Sequence, residues 1–132
     1  MATIQKFEDL EIWQLARALS QKIYPLTNIE PIKSDFRFKD QVRGTCGPIM
    51  DNIAEGFERG SRGEFIHSLT VAKGEVGELK SQLYRGLDNQ YFDIDLFETL
   101  YKLANEITKR ITSFINYLKK SEFKGQKFKE RL

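Results

Sequence analysis

Asn52-Ile53-Ala54-Glu55-Gly56-Phe57, followed by Ser61-Arg62-Gly63-Glu64-Phe65, holds the junction on which the fold turns. Ile53 and Phe57, four residues apart, end an apolar helical stripe. Gly60 stops that helix. Ser61-x-x-Glu64 is a capping box that starts another: the Ser61 hydroxyl can accept from the Glu64 amide while the Glu64 carboxylate returns to the Ser61 amide. Two long helices with so short a break between them fold back on each other as antiparallel neighbours.

Upstream, the same stripe runs through Val42, Cys46 and Ile49, so the helix is expected from Ser34 or Asp35 to Arg59. Pro48 lies inside it. Proline removes a backbone donor and crowds the preceding turn, which predicts a kink at Pro48, and Gly44 and Gly47 weaken the helix further. Two helices split at Gly47 are the alternative; the unbroken phase of the stripe favours one bent helix. Downstream, Phe65, Leu69, Ala72, Val76, Leu79 and Leu83 keep the 3.5-residue period of bundle packing to about Asn89. After the turn Asp88-Asn89-Gln90-Tyr91-Phe92-Asp93, Asp93 or Asp95 caps a further helix, with Asp95-x-x-Glu98 as a second capping box. Its stripe is Phe97, Leu100, Ala104, Ile107, Ile111, Phe114 and Leu118. At the front, Ile12, Leu15, Ala16, Leu19, Ile23 and Leu26 mark a helix from Asp9 to Thr27, with Pro25 near its end. The reading is an all-α, antiparallel up-down-up-down four-helix bundle with helices at about 9–27, 35–59, 62–89 and 94–121. It forms one domain over 1–121, and residues 122–132 are a basic tail expected to be disordered.

The bulk numbers agree with one ordinary domain: 132 residues, 40% hydrophobic and 30% charged, with a formal charge of +2. So mild a charge excludes a strong overall basic field. Residues 119–132 carry six basic and two acidic side chains, a local +4, which leaves −2 for residues 1–118. Cys46 is the sole cysteine, so no internal disulfide can form, and its neighbours Val42, Ile49 and Met50 make it a small buried hydrophobe rather than a reactive thiol. The N-terminal residues have no basic region feeding an apolar run, and no stretch approaches a membrane span. A cytoplasmic, membrane-free protein is the expectation.

The chemistry-bearing patterns are thin. Glu64-x-x-His67 has the spacing of di-iron carboxylate bundles, but such a site needs two of these motifs and two more glutamates, and this chain has one histidine. His67 falls off the core stripe, and Glu64 serves as a cap; no metal and no cofactor are expected. Asp51 and Glu55 are paired acids without a nucleophilic or basic partner, better read as a solvated face. No lysine-bearing phosphate loop and no serine or cysteine nucleophile motif occur, so no enzyme activity and no small-molecule substrate are expected. Asn52 and Glu55, beside the buried stripe, are expected to be partly buried in a network with Arg43, Arg59 or Arg62. Thr70, Gly74, Gly77 and Ser81 form a second, small-residue stripe, about 100° from the core stripe of the third helix. Helical glycines are costly unless another backbone approaches, either from the same bundle or from another subunit. Trp13, Tyr24, Phe36, Phe38, Ile66, Tyr84 and Tyr101 fall outside the core stripes, more large side chains than one bundle should leave in water, which predicts self-association. Lys119, Lys120, Lys124, Lys127, Lys129 and Arg131, with Phe123 and Phe128 between them, form a basic-aromatic tail able to neutralise phosphates and stack on bases, or else a solvated tail.

Phe7-Glu8-Asp9-Leu10-Glu11-Ile12-Trp13 is similar to an opening pattern F-x-x-L-x-V/I-W, and it is followed by Gln41-Val42-Arg43, Pro48-x-x-Asn52-Ile53-Ala54-Glu55-Gly56, Glu64-Phe65, Leu69-x-x-Ala72-x-Gly74 and Glu78-Leu79. Over residues 7–118 the chain thereby resembles the four-helix-bundle proteins encoded by intervening sequences of bacterial 23S ribosomal RNA genes. The resemblance implies a bundle that assembles into a ring, commonly a homopentamer. It also implies kinship with the accessory variability determinant of diversity-generating retroelements, which works with nucleic acid. The resemblance brings no established enzyme activity, and RNA or a nucleic-acid-associated protein is the implied partner. Two departures stand out: the family often has Gly-Ser where this chain has Gly74-Glu75, and this chain is far less basic than the retroelement protein. The expected function is that of a non-catalytic homo-oligomeric bundle that binds RNA or a ribonucleoprotein through basic surfaces; the alternative is a protein-only assembly module.

Overall fold

The computed structural model describes residues 4–121. Four helices carry the chain: α1 over Glu11–Ile23, α2 over Phe36–Glu58, α3 over Arg62–Asp88 and α4 over Ile94–Lys120. Short 3-10 turns at Phe7–Asp9, Tyr24–Asn28 and Ile32–Ser34 precede α1 and link it to α2. Among the described residues there is no strand. α1 packs on α2 and α4, α3 packs on α2 and α4, and the diagonal helices are not adjacent. That cyclic order, with tight links after α2 and α3, is the up-down-up-down bundle.

Local chemistry sets the helix ends. The Asp35 carboxylate accepts from the Phe38 amide at 3.1 Å, Ser61 Oγ from the Glu64 amide at 3.1 Å, and Asp93 from the Leu96 amide at 2.9 Å, each satisfying an orphan donor of a first turn. Two expectations are corrected. The Glu64 carboxylate does not return to the Ser61 amide; it takes Arg59 at 3.2 Å, so the capping box is half made. Asp93, one of the two expected caps of α4, is the one that forms, so the second capping box at Asp95-x-x-Glu98 is not made. α2 ends as expected at Gly60, whose φ of +83° is the left-handed conformation a side chain would strain. α2 runs unbroken through Pro48, so the split at Gly47 does not occur. α1 is shorter than its periodicity suggests: Pro25 has no N–H to extend the α-helical ladder, and the chain tightens into a 3-10 turn.

The four stripes meet in one core, in which Leu19, Ile53, Phe57, Phe65, Leu79 and Ile107 are fully buried. Phe65 is its hinge, edge-on to Phe57 at 5.8 Å and to Phe114 at 5.5 Å. Near the end of α4 the buried position is Ile115, and Phe114 is half-buried. Two of the seven surplus side chains also belong to this core. Trp13 is 9% exposed, packed edge-on to Phe7 at 5.1 Å, and Phe38 is buried against Tyr91 at 5.1 Å. The end turns and the short 3-10 elements add apolar cover that a four-rod picture omits.

Gly56 marks the closest approach of α2 and α3. A Cβ there would stand 2.4 Å from Ser68 Cβ, so only glycine lets the two backbones meet. Cys46 is buried as predicted, and burial pushes its thiol up to about 11 against a lowering hydrogen bond with Ser20. Native protein at pH 8 should therefore react with a thiol-disulfide reagent about 100-fold more slowly than the unfolded chain. Equal rates before and after denaturation would contradict the burial.

Candidate functional site

The residues singled out by sequence gather on two surfaces, neither of them an enclosed cleft. The first is a shallow groove of about 410 Å³ between the end of α2 and the start of α3, lined in part by Asn52, Glu55, Arg59, Glu64, His67 and Ser68. Arg59 bridges its carboxylates, 3.7 Å from Glu55 and 3.2 Å from Glu64. Glu55 is exposed, against the expectation of partial burial, because it stands on the outer side of the α2 turn whose inner positions are Gly56 and Phe57. Its ion pair is a surface pair that contributes about 0–1 kcal/mol. The described residues bring no three His, Cys, Asp or Glu side chains together in a way that could hold a metal ion.

Asn52 does enter a polar contact, though not with an arginine. Its amide donates to Glu75 on α3 at 2.8 Å. Arg43 lies at the opposite end of α2, donating to Thr27 Oγ1 at 2.8 Å and Asn28 Oδ1 at 2.9 Å while its guanidinium covers the Tyr24 ring at 4.2 Å. Arg62 reaches the Ser121 carbonyl at the end of α4. The proposed network therefore separates into three local clamps, one per inter-helix seam. Helical spacing already holds Arg43 and Asn52, nine residues apart on α2, more than two turns from each other, but it does not name the partner that each one meets.

Glu75 is the residue that the family pattern would replace by serine. Burial raises its pKa above the ordinary carboxylate value, the Asn52 hydrogen bond opposes that, and Glu78 and Asp51 nearby raise it further. A carboxyl whose folded pKa exceeds its unfolded one binds more protons in the folded state, so its contribution to stability falls as pH rises through that window. Glu75→Gln keeps an acceptor for Asn52 without the charge. It should raise the melting temperature at pH 7, with the gain shrinking as the pH falls and the native carboxyl takes up its proton. A gain that does not change with pH would remove ionisation as the cause.

The second surface is the outer side of α3. Thr70, Gly74, Gly77 and Ser81 are all exposed. A Cβ on Gly74 or Gly77 would meet nothing within 4 Å. None of the four described helices lies over this stripe, which leaves the other reading open, a partner outside the chain. Of the remaining surplus side chains, Tyr24, Phe36 and Tyr84 are 50%, 68% and 49% exposed, and Ile66 and Tyr101 are half-buried. Lys119 and Lys120 are exposed in the last turn of α4; Lys124, Lys127, Lys129 and Arg131 lie outside the described residues.

The sequence profile of the family described as 23S rRNA-intervening sequence protein matches residues 8–113. The chain belongs to that family. Among solved structures, this 23S rRNA-intervening sequence family member is similar to a protein of unknown function from the S23 ribosomal protein family of Bacteroides thetaiotaomicron VPI-5482. The TM-score is 0.72 and the identity 22%, covering 79% of this chain and 97% of that one, a likeness of fold. No curated protein matches the chain. Among its described residues, no helix is long and apolar enough to cross a membrane.

The fold explains the residues that carry the family resemblance. Phe7, Leu10 and Trp13 seal the start of α1, Arg43 clamps the α1–α2 link, and Gly56 admits Ser68. Sequence reasoning missed Gln82, which is 4% exposed and donates to Thr45 Oγ1 at 3.0 Å. It also missed Gly86, where a Cβ would stand 2.3 Å from the Phe92 ring. Gly86 had a signal: it falls three residues after Leu83 on the core stripe. Gln82 had none, because a glutamine beside the stripe reads as surface.

Proposed function

We propose that this 23S rRNA-intervening sequence protein is a non-catalytic homo-oligomer, a ring of helical bundles, that binds RNA or a ribonucleoprotein partner through basic surfaces. The observation that carries the self-association is the open α3 stripe. Two helical glycines cost about 1 kcal/mol each relative to alanine, and among the described residues nothing occupies the space they leave. A neighbouring copy is the packing partner that would repay that loss. The exposed large side chains at the other end of the helices support the same reading.

RNA binding is supported by charge placement. Lys119 and Lys120 close α4, Arg62 reaches Ser121 at the same point, and the +4 segment 119–132 begins there. In a ring of parallel subunits every tail would leave from the same end, so weak phosphate contacts would add by multivalency. Filter binding against a structured RNA tests it. Affinity should fall steeply with salt, and removing residues 122–132 together with Lys119→Ala and Lys120→Ala should abolish most of it. Absence of binding at low salt would leave the second reading, a protein-only assembly module, which the −2 charge of residues 1–118 favours. Native mass in solution tests the ring itself, and a particle of 15.4 kDa would end that proposal.

A further inference from the structure

Large apolar side chains left in water are concentrated at one end of the bundle. Apart from Val71, the exposed ones among the described residues are Tyr24, Ile29, Phe36, Tyr84 and Ile94. All five lie where α1 passes into α2 or where α3 passes into α4, and the up-down order puts those two links at the same end. They form two groups. Tyr24, Ile29 and Phe36, at 50%, 57% and 68% exposure, belong to the α1–α2 side; Tyr84 and Ile94, at 49% and 50%, belong to the α3–α4 side. Because the helices follow one another around the bundle in the order α1, α2, α3, α4, these sides are opposite flanks.

Charge divides in the same way. Residues 22–43 hold Lys22, Lys33, Arg37, Lys39 and Arg43 against three acids. Two of those acids are engaged within the chain: Glu30 accepts from Ser34 Oγ at 2.7 Å, and Asp35 caps α2 and accepts from the Tyr91 hydroxyl. Residues 88–98 hold Asp88, Asp93, Asp95 and Glu98, all exposed, and no cation; Lys80, over the Tyr101 ring at 5.1 Å, borders them. The basic flank is also ordered in advance. Phe36, Lys39 and Arg43 recur at three and four residues on one face of α2, with Lys39 over Phe36 at 5.0 Å and Arg43 over Tyr24 at 4.2 Å.

We propose that these flanks are the two halves of one head-to-tail contact: the basic α1–α2 flank of one copy docks on the acidic α3–α4 flank of the next. The proposal rests on the self-association reading above and adds which surfaces meet. Each half has an apolar centre with a charged surround, and the two surrounds are of opposite sign, the arrangement that fixes register and rejects like against like. Halves at the same height on opposite flanks set neighbouring bundles side by side, a head-to-tail contact that closes into a ring when the two flanks are inclined to each other and runs on as a filament when they are not. Gly77, Ser81, Tyr84 and Asp88 share one face of α3 at four- and three-residue steps, so the open glycine stripe runs into the acidic flank. The copy that docks on Tyr84 lies over the glycines as well, and supplies the close backbone that the subunit lacks.

Charge reversal tests the pairing, read by light scattering after size exclusion at low salt, with helicity by circular dichroism checked for every variant. Lys33→Glu with Arg37→Glu takes residues 22–43 from +2 to −2 and makes both flanks acidic; Asp88→Lys with Asp95→Lys and Glu98→Lys takes residues 88–98 from −4 to +2 and makes both basic, with the Asp93 cap kept. Each of these two variants should fall to the 15.4 kDa subunit while keeping its helical spectrum. The combined variant, with both signs exchanged, should regain the mass of the native protein, and so should an equal mixture of the two where alternation permits closure. Variants that keep the native mass would overturn the proposal, and if the first of them also lost affinity for a labelled single-stranded RNA, the basic flank would be a nucleic-acid surface instead. Variants that dissociate with no rescue in the combined one would overturn it too, since the flanks would then meet other surfaces. A native protein already at 15.4 kDa would overturn the self-association reading itself, a result distinguishable from the others before any variant is made.

Discussion

Phe65→Ala is expected to remove about 3–5 kcal/mol of stability and to lower the melting temperature by about 15 °C. Phe65 is fully buried and touches Phe57 and Phe114, joining α2, α3 and α4 in one aromatic contact set. Truncation removes the transfer free energy of the ring and leaves a void that helices each held by two neighbours can only partly close. Domains of this kind have about 5–15 kcal/mol in total, so the variant should be near the margin at physiological temperature. Equilibrium urea unfolding gives the number directly. A loss below about 1 kcal/mol would show that the site collapses freely, as a loosely packed core does.

Gly56→Val and Gly77→Ala should act in opposite directions. At Gly56 the new Cβ would meet Ser68 Cβ at 2.4 Å, so α2 and α3 must separate, at a cost of about 3 kcal/mol from overpacking. At Gly77 a Cβ meets nothing within 4 Å, and alanine should add about 1 kcal/mol of helix propensity to an isolated subunit. The same substitution places a methyl group where the proposed neighbouring copy must approach, so the gain in subunit stability should come with loss of assembled mass. Urea unfolding of Gly56→Val, and unfolding plus light scattering of Gly77→Ala, separate the two roles. A Gly77→Ala protein that is both more stable and still fully assembled would take the stripe out of the interface.

These two glycines also show what a linear reading can and cannot distinguish. Gly56, Gly74 and Gly77 are all helical glycines, and the small-residue stripe marks Gly74 and Gly77 as a place where something comes close, while nothing in its context singles out Gly56. Only the packing shows that Ser68 is the neighbour of Gly56 and that Gly74 and Gly77 have none among the described residues. Arg43, Asn52 and Glu55 tell the same story for polar groups. Their proximity to the apolar stripe was legible, but the partner of each was set by the helix that happens to cross there: the Tyr24–Asn28 turn for Arg43, Glu75 of α3 for Asn52, and solvent with Arg59 for Glu55. Trp13 and Phe38 looked superfluous because a four-stripe picture has no place for the 3-10 turn at Phe7–Asp9 or for Tyr91, which cover them.

The sequence by itself determined the helices, their order, their antiparallel sense and most of the core. Those properties depend on interactions between residues three or four apart and on caps one turn long, and such interactions are written locally. The tertiary structure decided which polar groups are paired, which glycines are filled and which side chains stay in water. Those depend on contacts between residues far apart in the chain, such as Asn52 with Glu75 or Asp35 with Tyr91, whose distances no local period encodes. The gathering of opposite charges on opposite flanks belongs to the second kind: residues 22–43 and 88–98 are remote in sequence, and only the closing of four helices around one core places them back to back.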